Sequence, residues 1–150
     1  MDIRTLDLKI IAWCRQVYIP LSRIAFFIIF FYFGFLKLIG QSPASALAEA
    51  LTARTIGADF YQVAFIILAI FECLIGILFL IPKATRIVIP LLFAHLLIVC
   101  SPLVLVPDHV WTAPFVPTLE GQYIIKNVAL AAIAIGIAAH TMPIGAKRAK

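Results

Sequence analysis

The sequence predicts an all-α protein of the membrane, a polytopic bundle of four transmembrane helices. Three observations predict it. Hydrophobic residues make up 64% of the 150 residues and charged residues 13%, against about half apolar and a quarter charged in an ordinary soluble domain. Mean hydropathy is +1.11, and a chain this short cannot hide so much apolar surface in its own core, so its solvent is lipid. The apolar residues also fall into four blocks of the roughly 20 residues that cross a hydrocarbon core, without the alternation of a membrane barrel. Backbone groups in lipid must be satisfied within each block, so each block is a helix. These properties exclude a soluble enzyme, a zinc finger, a disordered tail and a nucleic-acid binder. The net charge of +5 sits in bases that flank the apolar blocks, which fits membrane topology rather than nucleic acid.

The elements follow in order along one domain, residues 1–150. In the first eighteen residues Ile3, Leu6, Ile10, Trp13 and Val17 recur at helical spacing, away from Arg4, Asp7 and Arg15. That pattern predicts an amphipathic helix lying on the cytoplasmic surface. The first span is Pro20–Gly40. Ala46-Leu47-Ala48 has the small residues of a signal-peptide cleavage site, but the apolar run before it is too long and contains Lys37, so the span is expected to be an anchor. Ser42-Pro43, an Ala/Leu-rich run and Gly57 supply a cap, a first-turn proline and a stop for a short outer-surface helix in the first loop. The remaining spans are Gln62–Ile81, Arg86–Val106 and Tyr123–Met142. The third loop, Val106–Gln122, carries Pro107, Pro114 and Pro117 among Trp111, Phe115 and Val116, and is expected to pack back on the bundle as an outer cap.

Lys and Arg near the span ends set the orientation. Arg4, Lys9, Arg15, Arg23, Lys83, Arg86, Lys147, Arg148 and Lys150 fall on one side, against Arg54 on the other. Both termini are therefore expected in the cytoplasm, with Trp13 and Tyr18 as interfacial anchors on that side and Tyr61, Trp111 and Tyr123 opposite.

An ionisable side chain deep in a membrane costs several kcal/mol and needs a reason. Helical rise puts Glu72 about 15 Å below the outer end of the second span and His95 about 13 Å above the inner end of the third. Lys37 and Lys126 each lie about a turn inside the outer end of their spans, and Asn127, Gln122 and Glu120 lie at or above that level. These positions predict a polar site in the outer half of the bundle, with Glu72 as its floor and Lys37 and Lys126 reaching down. Gly34 shares a face with Lys37, and Gly76 lies one turn from Glu72, so close helix approach can turn the charges inward. In the alternative the lysines snorkel outward and Glu72 is simply protonated. For His95 the common arrangement is a hydrogen bond to a backbone carbonyl, freed here by Pro90 or Pro102; a proton relay or ligand contact is the other. The candidate ligand-binding set is thus Lys37, Glu72, Lys126, Asn127, Glu120 and His95, with catalytic residues unknown and no metal expected. Cys14, Cys73 and Cys100 lack C-x-x-C and metal-ligand spacing, and are expected to be buried apolar thiols. Phe26, Phe27, Phe30, Phe31, Tyr32, Phe33 and Phe35 surround the first span and are read as packing and lipid contact. The small residues from Ala129 to Ala139 are read as a thin, closely packed fourth helix.

The order of these signals resembles the DoxX-like superfamily, especially its YkgB/RclC-type members. The first span reads Arg23, then Phe33-Gly34-Phe35-Leu36-Lys37; the second reads Glu72-Cys73-Leu74-Ile75-Gly76. Arg86 opens the third. Pro117-Thr118-Leu119-Glu120-Gly121-Gln122-Tyr123-Ile124-Ile125-Lys126-Asn127 leads into the fourth. Asn127 stands where the resemblance has an aspartate, and the first outer loop is shorter. The resemblance covers roughly residues 20–140 and implies a compact four-helix bundle of the bacterial inner membrane. It also implies an association with oxidative or reactive-chlorine stress and with thiosulfate:quinone oxidoreduction.

Taken with the resemblance, the reading is an accessory, ligand-binding component in redox or oxidative-stress physiology, without independent catalytic activity, with a quinone as the favoured ligand. Two alternatives are an assembly factor or chaperone for another membrane protein, and a small transporter or proton pathway through Glu72 and His95. The partners named by this reading are the lipid bilayer, a membrane redox or stress-response protein, and a second copy of the chain as a homo-oligomer.

Overall fold

Nothing before Gly40 stops a helix, and the computed structural model, which describes residues 2–143, has one continuous helix there, α1 (Ile3–Leu38, 36 residues). Lys147, Arg148 and Lys150, used in the orientation argument, lie outside the described residues. At 1.5 Å per residue α1 is about 54 Å long, well beyond the ~30 Å of a hydrocarbon core. The N-terminal segment is helical as expected, but it is not a separate surface helix: it runs straight into the first span through Pro20. Proline removes one donor from the ladder, yet no glycine accompanies it between Val17 and Arg23, and the helix passes through. Residues 2–16 are exposed and burial starts at Val17, so the first part of α1 projects beyond the bundle.

The stop comes at Gly40, which takes φ 72°. Its N–H donates to the Lys37 carbonyl at 3.2 Å and the Gln41 N–H to the Leu36 carbonyl at 2.9 Å, the paired bonds of a Schellman end. Lys37 is thereby held in the last turn, where a cation suits the helix dipole. The short helix expected in the first loop follows as α2 (Ser45–Thr55). Ser42 Oγ accepts from the Ala44 N–H at 3.2 Å, and Gly57 ends the helix at φ 103° with its N–H on the Thr52 carbonyl.

Three further spans complete the bundle. They are α3 (Tyr61–Phe79), α4 (Thr85–Cys100) extended past Ser101 by the short α5 (Pro102–Leu105), and a fourth made of α7 (Leu119–Ile125) and α8 (Asn127–Ala139). Around the bundle α1 packs on α3, α3 on α4, α4 on α8, and α8 back on α1. Phe26, Phe79, Ile75, Leu92, Val88 and Ile137 fill the centre at 2% exposure or less, while most remaining apolar side chains face outward, as a lipid-contacting surface requires.

The third loop does cap the bundle, in a form the periodicity did not announce. It holds a helical turn, α6 (Pro107–Val110), and a small antiparallel hairpin, β1 (Trp111–Ala113) with β2 (Val116–Pro117). Its base is packed: Val106 and Val110 are buried, and Trp111 Nε1 donates to the Leu103 carbonyl at 3.0 Å. Gly121 permits the fit, because a Cβ there would run into the Val110 carbonyl. The tip is not packed: Phe115 sits at φ 62° and is 93% exposed.

At the end of the bundle where α1 enters it and α8 leaves it, Arg23 joins three helices. Its Nη1 donates to the Phe79 carbonyl at 3.0 Å and its Nη2 to Thr85 Oγ1 at 2.6 Å, closing the end of α3 and the start of α4. Arg23→Ala is expected to cost about 1.5 kcal/mol, the lower end for charged hydrogen bonds because Arg23 is only half-buried. Thermal unfolding in detergent measures it, with Arg23→Lys, which keeps the charge but not the fork, falling between. Tyr18, expected as an interfacial anchor, instead docks on α8: its hydroxyl donates to the Ile133 carbonyl at 3.4 Å and occupies the space a Cβ on Gly136 would need. The thin fourth helix is thus used for close approach at Gly136 and the fully buried Ala134, while Ala129, Ala132 and Ala139 face outward.

Candidate functional site

Two glycines set the distance between α1 and α3. A Cβ on Gly34 would lie 2.8 Å from both the Ala69 carbonyl oxygen and Cys73 Sγ, and one on Gly76 would lie 2.7 Å from the Phe31 backbone nitrogen. Only glycine lets the two backbones approach this closely. Gly34 and Lys37 share a face, so the joint that seats Gly34 on Ala69 and Cys73 also delivers Lys37 to Glu72.

Lys37 Nζ donates to Glu72 Oε2 at 2.5 Å, and the two side chains are only 8% and 7% exposed. From α4, His95 Nε2 approaches Glu72 Oε1 at 3.5 Å, with its side chain 4% exposed. The three ionisable groups form one buried network supplied by three helices. An ion pair away from water is held together strongly only if its other polar atoms are satisfied, and one here is not: His95 Nδ1 is buried without a hydrogen-bond partner. His95 therefore does not take the backbone carbonyl that Pro90 or Pro102 makes available. Its ring is packed edge-on against Phe30, centroids 5.3 Å apart, and near Phe71 at 6.1 Å.

Glu72 lies about 16 Å along α3 from Tyr61, yet Lys37 reaches it because α1 stops short. With Gly34 beside Ala69 and Cys73, the end of α1 at Leu38 falls level with the second turn of α3, and α2 folds across the space above. Toward the terminal end the network is backed by Ile75, Leu92 and Val88, all fully buried, and by the stacked rings of Phe26 and Phe79, centroids 4.1 Å apart. The next polar group in that direction is the Arg23–Thr85 clamp.

The rest of the expected cluster lies elsewhere. Lys126 is exposed and its Nζ sits over the Tyr123 ring, 5.0 Å from the centroid. A cation–π contact one turn back along its own helix, at the hitch between α7 and α8, directs it outward. Glu120, in the first turn of α7, is exposed, as is Gln122, and Asn127 is half-buried with no side-chain bond to the network. The thiols also differ from expectation: Cys14 is exposed because it lies on the projecting part of α1, and Cys73 and Cys100 are half-buried. Cys73 Sγ donates to the Phe31 carbonyl at 3.7 Å. Among the described residues no three His, Cys, Asp or Glu side chains converge.

A hollow beside the hairpin and another between α4 and α8 both lie away from the network. Depth arithmetic alone pairs Glu72 with His95, since both fall near the middle of their spans. The Arg23 clamp was not legible as a contact, because its sequence position reads equally well as a topology charge. No protein-family model, curated protein or solved structure matches the chain.

Proposed function

We propose that the chain is an accessory component of the bacterial inner membrane in redox or oxidative-stress physiology, binding a small lipophilic or anionic ligand at Lys37, Glu72 and His95. The observation that carries this reading is a linked set of three ionisable side chains held out of water within membrane-crossing helices. Such groups are costly in lipid and mark ligand, ion or proton sites. The donor chemistry of these residues suits a quinone head group. The orphaned Nδ1 of His95 offers a polar partner for a ring carbonyl or hydroxyl, and Phe30 and Phe71 beside it offer aromatic contact. The proposed kinship to DoxX-like proteins rests on the resemblance carried by Arg23, Gly34, Lys37, Glu72 and Gly76, residues that also make inter-helix contacts here. Both termini face the cytoplasm in this reading, following the distribution of bases.

Mass spectrometry of an organic extract from gently purified protein tests it. A quinone or other small ligand near stoichiometry in the wild type, lost in Glu72→Gln and in His95→Phe, is the expected result. Bulk phospholipid alone in every sample would overturn the ligand and leave the network as a lock between helices.

A second reading, an assembly factor for another membrane protein, rests on the hairpin tip, where Phe115 is 93% exposed. A stoichiometric protein partner retained in mild detergent and lost in Phe115→Ser is its signature.

A further inference from the structure

Away from the Lys37–Glu72–His95 network, the hollow between α4 and α8 at the terminal end has the make-up of a lipid site. It measures about 400 Å³ and is lined by Thr85, Arg86, Ile89, Pro90, Ala138 and Thr141. Its character changes along its length. Ile89, Pro90 and Ala138 make an apolar wall on the span side, while Arg86 and the two threonines stand at the mouth.

Arg86 is held across that mouth. Its Nη2 donates to the Met142 carbonyl at 2.6 Å, tying the start of α4 to the chain that leaves α8. A guanidinium has five N–H donors in a rigid fork, and this bond uses one of them. The threonine hydroxyls are already engaged, Thr85 with Arg23 and the Pro82 carbonyl and Thr141 with the Ile137 carbonyl, so Arg86 is the group that can take an anion.

Among the described residues the charge around the mouth has one sign. Lys83 is exposed on the turn just before α4, and Arg23 lies behind Thr85. The acids of the whole chain are Asp2, Asp7, Glu49, Asp59, Glu72, Asp108 and Glu120. None belongs to the α3–α4 connection or to the end of α8. The two on the terminal side, Asp2 and Asp7, ride on the projecting part of α1, with Asp7 about 16 Å along the helix from Tyr18. Ile87, next to Arg86 on α4, and Ile135, one turn from Ala138 on α8, are 61% and 58% exposed.

We propose that this groove binds an anionic phospholipid, its phosphodiester on Arg86 and an acyl chain along Ile89, Pro90 and Ala138. The basic mouth selects the anion, and basic pockets between membrane helices take lipid head groups in this way. The apolar wall selects a lipid over a free anion, which would leave that wall unused. This site is independent of the ligand proposed at Glu72.

Native mass spectrometry of the full chain with phosphatidylglycerol or phosphatidylcholine of identical acyl chains tests the proposal. Wild-type protein should retain phosphatidylglycerol about fivefold better, the effect of one cation near a membrane surface. Arg86→Gln should abolish that preference, and Ala138→Leu, which fills the groove and leaves every charge in place, should lower retention of both lipids. Millimolar inorganic phosphate should not displace the lipid. Equal retention of the two lipids by the wild type, an undiminished preference in Arg86→Gln, or displacement by phosphate would each overturn the proposal, the last in favour of a free-anion site. Glu72→Gln should leave the preference intact, which separates this outcome from that of the Glu72 ligand.

Discussion

Glu72→Ala is expected to be the most damaging single change in the spans, costing about 3–5 kcal/mol because it leaves the Lys37 charge buried without its partner. The loss arises from the unpaired ion rather than from the value of the pair. An apolar pair of similar size in place of both partners is therefore expected to recover most of it. Lys37→Met with Glu72→Met should unfold close to the wild type in detergent, although each single change is severe. Lys37→Met alone strands a carboxylate facing His95, which gives the double-mutant cycle a second informative corner. If the double substitution is as unstable as Glu72→Ala, the polar network is contributing to the fold in a way a packed core cannot replace.

Gly76→Leu is expected to force α1 off α3. Overpacking a well-filled contact costs roughly 1–3 kcal/mol when side chains can yield. Here the obstruction is the Phe31 backbone, 2.7 Å from a Cβ on Gly76, so the upper part of that range or more applies. The displacement has a chemical reporter. Cys73 lies at the neighbouring glycine contact, 2.8 Å from a Cβ on Gly34, and its labelling by a membrane-permeant maleimide should rise several-fold in Gly76→Leu. Cys14, exposed in both proteins, is the internal control. Unchanged labelling of Cys73 together with an unchanged melting temperature would mean that the two helices do not depend on this contact.

Much of the fold was readable because its signals are local. Hydropathy places four spans, and Ser42 and Gly57 bracket the first-loop helix within a few residues of its observed ends. Gly34 and Gly76 also told, through spacing alone, which faces of α1 and α3 meet. Local signals failed where the deciding contact is distant or has no periodicity. Lys37 reaches down to Glu72 as its depth suggested, helped by the Gly40 stop, which ends α1 below the top of α3; the same depth argument fails for Lys126. Lys126 occupies a level similar to that expected for Lys37, yet the Tyr123 ring on its own helix takes it. Alanine-rich α8 has no polar face from which its rotation could be read. Pro20 looked like a boundary because proline weakens a helix, but no second breaker accompanies it.

The glycine joint has a consequence for how a chain of this kind can vary in length. Adding one residue to a helix turns everything beyond it by about 100°. An insertion between Phe31 and Lys37 would therefore swing the ammonium out of the bundle while changing no residue of the network. The stretch before Val17 is exposed along its described length, and a residue gained or lost there turns only the free end of α1. Insertions and deletions in divergent copies of this sequence are accordingly expected at that projecting end and at the hairpin tip, whereas the run from Phe31 to Lys37 and its partner from Ala69 to Gly76 are expected to keep a fixed length.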